Sequence, residues 1–137
     1  MSKKHAQLSW QDGKVPISDT FKDSYYSLEN GLLEANYVFI EGNRLQKRLS
    51  HGFKIAELGF GTGLNFLATC AAWNKASKTG KFNFVSFEGY PISNSDLRKA
   101  HLLFPELSEY AEILQTRWDE IIEGNLVDFG FANLKVF

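Results

Sequence analysis

The chain is predicted to be an α/β protein built on a parallel sheet, with an N-terminal extension of a hairpin and short helices. Three observations carry this. From residue 52 onward, strand-like and helix-like stretches alternate in the order strand, helix, strand, helices, strands, which is how parallel sheets are written in sequence. The first strand, Gly52-Phe-Lys-Ile-Ala-Glu-Leu58, enters a turn with glycines at every second position: Gly59, Gly61 and Gly63. Acids mark the carboxyl ends of the first two strands, Glu57 and Glu88. The expected division is an extension over 1–51 and the first half of the α/β domain over 52–137.

Taken in order, Leu8 to Ile17 reads as a hairpin around Asp12-Gly13, because both turn positions tolerate positive φ. Pro16 makes the second arm short or places it at an edge. Ser18 to Ser27 sustains no helical period and reads as irregular, its aromatics packing onto the domain or lining a pocket. Asn30 to Glu41 has apolar residues at 32, 33, 37 and 40, close to a helical stripe, with Asn30 as a cap and Gly42-Asn43 as the stop. Arg44 to Leu49 reads as a second short helix. Gly52–Leu58 is the first sheet strand, and Leu64–Trp73 the helix after it, with Leu64, Leu67, Ala68 and Ala71 on one face.

Ala76 to Lys81 is a polar loop, Phe82–Phe87 the second strand, and Asn94–Phe104 a helix capped by Ser93, Asn94 or Ser95. Pro105 starts another helix, running to about Trp118 with Leu107, Tyr110, Ile113 and Leu114 inward. Asp119–Gly124 is expected to be a connection. Leu126–Phe131 and Leu134–Phe137 are expected strands, with a turn at Asn133.

Composition limits the functional classes. With 137 residues, 44% of them hydrophobic, the chain can bury one sizeable core and is not disordered by composition. The 15 basic and 16 acidic residues nearly cancel, so a nucleic-acid partner is not announced by net charge and would need a local patch. Arg44, Lys47 and Arg48 form the one dense basic cluster, read either as a solvated face or as a phosphate contact. A single cysteine, Cys70, excludes an internal disulfide and reads as a small buried hydrophobe. The start Met-Ser-Lys-Lys-His has no apolar signal core, and no run reaches the ~18 apolar residues of a membrane span. A cytoplasmic protein without membrane contact is the expectation. His5, His51 and His101 are too scattered to suggest a metal site.

The glycine turn carries the chemistry. Glycines let a ligand approach the backbone, and the N–H groups opening the next helix attract negative charge. The spacing Gly59-x-Gly61-x-Gly63 departs from the G-x-G-x-x-G of dinucleotide sites. No Lys-Ser/Thr follows Thr62-Gly63, so it is not a P-loop. With Glu57 ahead, it is similar to the E/D-x-G-x-G-x-G turn of S-adenosylmethionine-dependent methyltransferases. Ligands of such sheets lie outside the carboxyl ends of the strands, where Glu88 can accept hydrogen bonds from ribose hydroxyls. Glu57 sits beside a buried strand and needs a partner, either ligand or backbone N–H.

Longer stretches resemble one family. Glu57-Leu-Gly-Phe-Gly-Thr-Gly-Leu-Asn-Phe-Leu-Ala68 resembles the methyltransferase domain (MnmD-like) of the bacterial bifunctional tRNA-modifying MnmC family. So do Gly31-Leu-Leu-Glu-Ala-Asn-Tyr-Val-Phe-Ile-Glu-Gly-Asn43, Trp10 with Asp12-Gly13, Asp23-x-Tyr25-Tyr26-Ser27, Phe87-Glu-Gly-Tyr-Pro91 and Phe104-Pro-Glu-Leu107.

The resemblance implies a Rossmann-like S-adenosylmethionine-dependent methyltransferase fold, present as a partial sheet. It implies methyl transfer to the aminomethyl group on C5 of wobble uridine 34 in tRNA. It places Glu57, Gly59, Phe60, Gly61, Thr62 and Gly63 around the cofactor and Glu88 on its ribose. Asn65 and Phe66 would shape the pocket, Tyr25 and Tyr26 would border the acceptor, and Arg44, Lys47 and Arg48 would serve tRNA. FAD is implied only with a downstream oxidase domain. The family's aspartate and acceptor loop fall beyond residue 137, so the chain is expected to be a cofactor-half fragment with no catalytic residue of its own identified. Its first strand would then have an open edge, inviting self-association or a partner. Two other readings stay open: a non-catalytic interaction module keeping the fold, and a small-molecule or protein N-methyltransferase.

Overall fold

The computed structural model describes residues 4–25 and 31–137; Tyr26, Ser27 and the expected cap Asn30 lie outside them. Asp12 and Gly13 take φ of 52° and 68°, and Lys14 N–H returns to the Gln11 carbonyl at 3.0 Å. The hairpin is therefore β1 (Leu8–Gln11) against β2 (Val15–Ser18), antiparallel. The segment expected to be irregular adds a two-residue β3 (Asp23–Ser24) on the far side of β2. Pro16 thus sits in a short strand that is central in its small sheet.

The helix expected before Gly42 is present with a different period. It opens as α1 (Gly31–Glu34) and continues as a π-helix over Ala35–Glu41. Gly42 N–H bonds to the Tyr37 carbonyl, five residues back, at 3.0 Å. Bonds of this i→i+5 kind put an extra residue in each turn. The buried positions become Gly31, Ala35 and Ile40, while Leu33 and Tyr37 of the expected stripe are 62% and 72% exposed. The stripe at 32, 33, 37 and 40 was drawn for an α-helix, and the wider turn rotates two of its members outward. Arg44, at φ 53°, then leads into α2 (Leu45–Arg48).

The main sheet has the order β4 (Lys54–Leu58), β5 (Phe82–Phe87), β7 (Ala132–Val136), β6 (Val127–Asp128). The pairs β4–β5 and β5–β7 are parallel and β6–β7 is antiparallel, so the sheet is mixed and Rossmann-like at its parallel centre. Between β4 and β5 runs α3 (Leu64–Lys75); between β5 and β7 run α4 (Asn94–His101), a 3-10 turn (Pro105–Leu107), α5 (Ser108–Thr116) and α6 (Trp118–Ile122).

Ser93 caps α4, its hydroxyl accepting from Asp96 N–H. The stretch 119–124, expected as a connection, is largely helical. Arg117 (φ −99°, ψ 8°) breaks the helix, and α6 restarts to bury Trp118 and Ile121. The turn expected at Asn133 lies earlier, where Asp128 Oδ1 accepts from Gly130 N–H at 2.7 Å and Gly130 takes φ +89°. Asn133 is instead inside β7, bonded to the Asn83 side chain.

Burial alternates along β5 and β7, so the helices cover one face of the sheet. On that face Phe66 of α3 meets Phe82, Phe84 and Phe129, with centroids 6.2, 5.2 and 5.1 Å apart. Cys70 is fully buried among them, as expected. The hairpin region joins the same core through Val15, and Ala6 N–H reaches the Pro91 carbonyl after β5. β4 lies at an edge of the described sheet, and Leu58 at its end is 88% exposed. Among the described residues no helix is long and apolar enough to cross a membrane.

Candidate functional site

The site begins where β4 ends. Gly59 N–H donates to the Phe87 carbonyl at 2.8 Å, carrying the β4–β5 pairing one residue further. The chain then reverses tightly: Gly63 N–H returns to the Phe60 carbonyl at 2.9 Å, and Leu67 N–H bonds to the Gly63 carbonyl as α3 starts. The Phe60 ring points into the core, stacked on Trp118 at 5.7 Å, and Trp118 Nε1–H is itself held by the Ile92 carbonyl at 2.8 Å. The turn is thus anchored from beneath by an aromatic peg.

The two acids flank this turn in different ways. Glu88, just past β5, accepts from Gly61 N–H through Oε2 (3.0 Å) and from Tyr90 N–H through Oε1 (3.1 Å). A carboxylate at the end of the second strand therefore binds the glycine turn after the first. Glu57 faces inward, accepting from Asn65 Nδ2 (3.0 Å) and Ser86 Oγ (3.1 Å) and so linking β4, α3 and β5. Burial pushes the Glu57 carboxyl up to about 7; the bonds from Asn65 and Ser86 oppose this, and the nearby Glu88 charge adds to it.

Around the turn lies a cleft of about 640 Å³ lined by Gly59, Phe60, Gly61, Thr62, Asn65 and Glu88. Facing walls come from Tyr25 and the π-helix residues Ala35, Val38 and Phe39. Tyr25 lies over Gly61, where an added Cβ would stand 3.1 Å from its ring. Its hydroxyl is pushed up to about 12, first by burial and then by the Glu88 and Asp96 charges. At Gly59, by contrast, an added Cβ would meet nothing within 4 Å. Among the described residues no group of three or more His, Cys, Asp or Glu is placed to hold a metal.

No family model matches the chain. It is 45% identical over 128 residues to the tRNA 5-methylaminomethyl-2-thiouridine biosynthesis bifunctional protein MnmC of Aeromonas hydrophila, covering 88% of this chain and 19% of that protein. It is 47% identical over 124 residues to the protein of the same name from Vibrio cholerae, covering 83% and 18%. The chain belongs to the MnmC family. It spans about a fifth of the length of these curated relatives. A crystal structure of MnmC2 from Aquifex aeolicus superposes with a TM-score of 0.66 at 21% identity, over 98% of this chain and 43% of that one. That likeness shows the fold.

Within this MnmC-family chain, the expected residues separate into two groups. Gly59, Phe60, Gly61, Thr62, Asn65, Glu88 and Tyr25 come together at the cleft. Gly63 and Glu57 stand behind it as parts of the frame. Arg44, Lys47 and Arg48 are exposed and do not line it, although their neighbour Asn43 does. Arg48 donates to the Asn43 carbonyl at 3.0 Å and lies 5.3 Å over the Phe53 ring, so it helps fasten α2 to the sheet.

The residues that sequence reasoning missed are His101 and Gln115. The histidine had been weighed only as a metal ligand. It is buried, within 2.8 Å of the Thr62 carbonyl and of Gln115 Nε2, and burial holds it below its ordinary pKa. Nothing local in sequence signals a contact between residues 39 apart.

Proposed function

We propose that this chain carries the S-adenosylmethionine site of a tRNA-modifying methyltransferase of the MnmC family, acting on the aminomethyl group of modified wobble uridine 34. The observation that carries the reading is Glu88: it binds the glycine turn through Gly61 N–H beside open space at Gly59. An ionised carboxylate has about four acceptor sites, so a side chain placed there suits ribose hydroxyls as well as backbone N–H. The cleft volume, near 640 Å³, lies within the range of small-molecule and cofactor sites. These residues therefore fit the cofactor.

When bound, the cofactor supplies an electrophilic methyl group on a sulfonium. The chain's own part is alignment. The turn and Glu88 fix one end of the cleft, and the Tyr25 ring and π-helix wall narrow the approach so that an amine reaches along one line. The attacking nitrogen must be neutral, and Tyr25, its hydroxyl held high, stays protonated and uncharged beside it.

Isothermal titration with S-adenosylmethionine tests the cofactor half, and methylation of tRNA from a strain lacking the enzyme tests the whole. Gly59→Ala sharpens the first test. It adds a methyl group only to open space, so the cost to the fold is the left-handed backbone alone, about 1 kcal/mol. In the proposed ligand position the same methyl group is expected to weaken binding at least about tenfold. Absence of binding in the parent chain would favour the non-catalytic interaction module.

The acceptor is tested separately. Reversing charge at Arg44 and Lys47 together is expected to weaken tRNA binding about tenfold at low salt and to flatten its salt dependence, because these exposed cations contribute counterion release. An unchanged affinity and salt slope would point to a small-molecule or protein amine acceptor.

A further inference from the structure

His101 lies on α4, behind the glycine turn and outside the cleft. Its two ring nitrogens both have close partners, and the identity of those partners fixes where its proton is. Arg98, one turn earlier on the exposed side of α4, has only donors. It is steadied by Asn94, whose Oδ1 accepts from Arg98 Nε at 2.6 Å and whose amide donates to the Gln115 main-chain carbonyl at 2.8 Å. Arg98 Nη1 reaches Gln115 Oε1 at 3.4 Å, so that oxygen is the acceptor and the Gln115 amide nitrogen is turned to His101. The amide nitrogen donates to His101 Nδ1 at 2.8 Å, which leaves Nδ1 bare and puts the proton on Nε2. Nε2–H then donates to the Thr62 carbonyl, also at 2.8 Å.

The far end of this chain of bonds is a single peptide. The Thr62 carbonyl and the Gly63 N–H belong to the same plane, the first held by His101 and the second by the Phe60 carbonyl at 2.9 Å. A peptide fixed at both polar groups cannot rotate. That plane determines how the turn faces the cleft, since Gly61 and Thr62 line it and α3 starts immediately after Gly63.

We propose that His101 is a positioning residue for the ligand site, held in its Nε2–H tautomer by the acceptor Thr62 carbonyl on one side and the Gln115 amide, oriented by Arg98, on the other, so that it clamps the Thr62–Gly63 peptide. It touches no ligand and acts through the turn. The inference extends the functional reading above for ligand affinity, and it has a readout independent of that reading.

Long-range ¹⁵N NMR of the 137-residue chain reports the tautomer directly. The expected result is a protonated Nε2 and a bare Nδ1. Arg98→Ala, a change at an exposed side chain, frees the Gln115 amide to turn over, but the Thr62 carbonyl can only accept, so Nε2 is expected to stay protonated in that variant; a proton on Nδ1 there would show that the Thr62 contact does not hold the ring. His101→Phe keeps the volume and removes the donor. It is expected to speed exchange of the Gly63 amide at least about tenfold and to weaken S-adenosylmethionine affinity by about tenfold.

His101→Gln, whose amide nitrogen reaches the position of Nε2, is expected to restore both within about twofold. A role in packing alone predicts the opposite order, with Phe tolerated and Gln not. A parent chain with the proton on Nδ1, or a Phe variant with unchanged Gly63 exchange, overturns the proposal. If the Phe variant does not fold, the Arg98→Ala tautomer decides. If the parent chain binds no S-adenosylmethionine, the functional reading falls, and the clamp stands or falls on tautomer and exchange.

Discussion

Gly63→Ala is expected to destabilise the fold by about 3 kcal/mol, the sum of about 1 kcal/mol for a left-handed backbone and about 2 kcal/mol for overpacking. The position takes φ +78°, and an added Cβ would stand 2.8 Å from Phe60 Cε2 and 2.9 Å from Leu114 Cδ2. Neither neighbour can yield. Phe60 is stacked on the buried Trp118, and Leu114 is itself fully buried beneath the turn. Against a typical domain stability of about 5–15 kcal/mol this is a large share, and it corresponds to a melting temperature lower by about 10 °C.

The three turn glycines share a positive φ, so the ranking of their alanine variants isolates the steric part. At Gly61 the nearest atom is the Tyr25 ring edge at 3.1 Å, which tilts away more readily than the core does. At Gly59 there is no clash. Urea denaturation should therefore rank the losses Gly63 > Gly61 > Gly59. Equal losses at Gly63 and Gly59 would show that backbone conformation, with no part from the Phe60–Leu114 contact, sets the cost.

That ranking also marks how far the sequence alone could be read. The turn, its two flanking strands and α3 are legible because each is written locally: an apolar run, glycines where φ turns positive, then helical spacing. Glu88 is legible one step further, since parallel register brings Leu58 opposite Phe87 and so sets the acid after Phe87 beside the turn after Leu58.

What escaped the sequence depends on contacts made after those elements assemble. The π-helix differs from an α-helix only in which carbonyl each N–H selects, and that selection turns Tyr37 and Val38 of an apolar run outward. Asn133 has turn chemistry but serves a side-chain bond to Asn83 across two parallel strands 50 residues apart. His101 looks like a lone surface-helix histidine until α5 brings Gln115 to one nitrogen and the turn brings Thr62 to the other. The open face of the site was legible from local signals, and the frame behind it was set by packing.

The frame includes a carboxyl whose charge the fold resists, and Glu57→Gln is expected to show it. Burial raises the folded-state pKa of Glu57 from an ordinary 4.5 to about 7. The folded chain therefore holds this proton more tightly than the unfolded chain does. The associated stability is fully present below pH 4.5 and is lost as pH rises through about 7; across that interval the loss is about 3 kcal/mol. Glutamine has the same shape, cannot ionise, and still accepts from Asn65 or Ser86 through its one oxygen.

The difference in unfolding free energy between the variant and the parent should shift in favour of the variant by about 3 kcal/mol between pH 4 and pH 8, measured by urea denaturation at each pH. His101 also titrates with folding, in the opposite sense. Its lowered pKa makes stability fall as pH drops below its ordinary 6.5, but this occurs in both proteins and cancels in the difference. Parallel pH profiles for the two proteins would mean that Glu57 ionises in the fold without cost.

The expected divergence assigns the two acids different work. Glu57, protonated below about pH 7 and ionised above it, struts β4, α3 and β5 through Asn65 and Ser86. Below about pH 7, where Glu57 is protonated, its contribution to the negative potential at the turn is small beside that of Glu88, which binds Gly61 and borders the cleft. Glu57→Gln is accordingly expected to leave ligand affinity near its parent value at about pH 6, where Glu57 is protonated; at about pH 8 only the parent carries a second carboxylate, behind the turn that Glu88 borders.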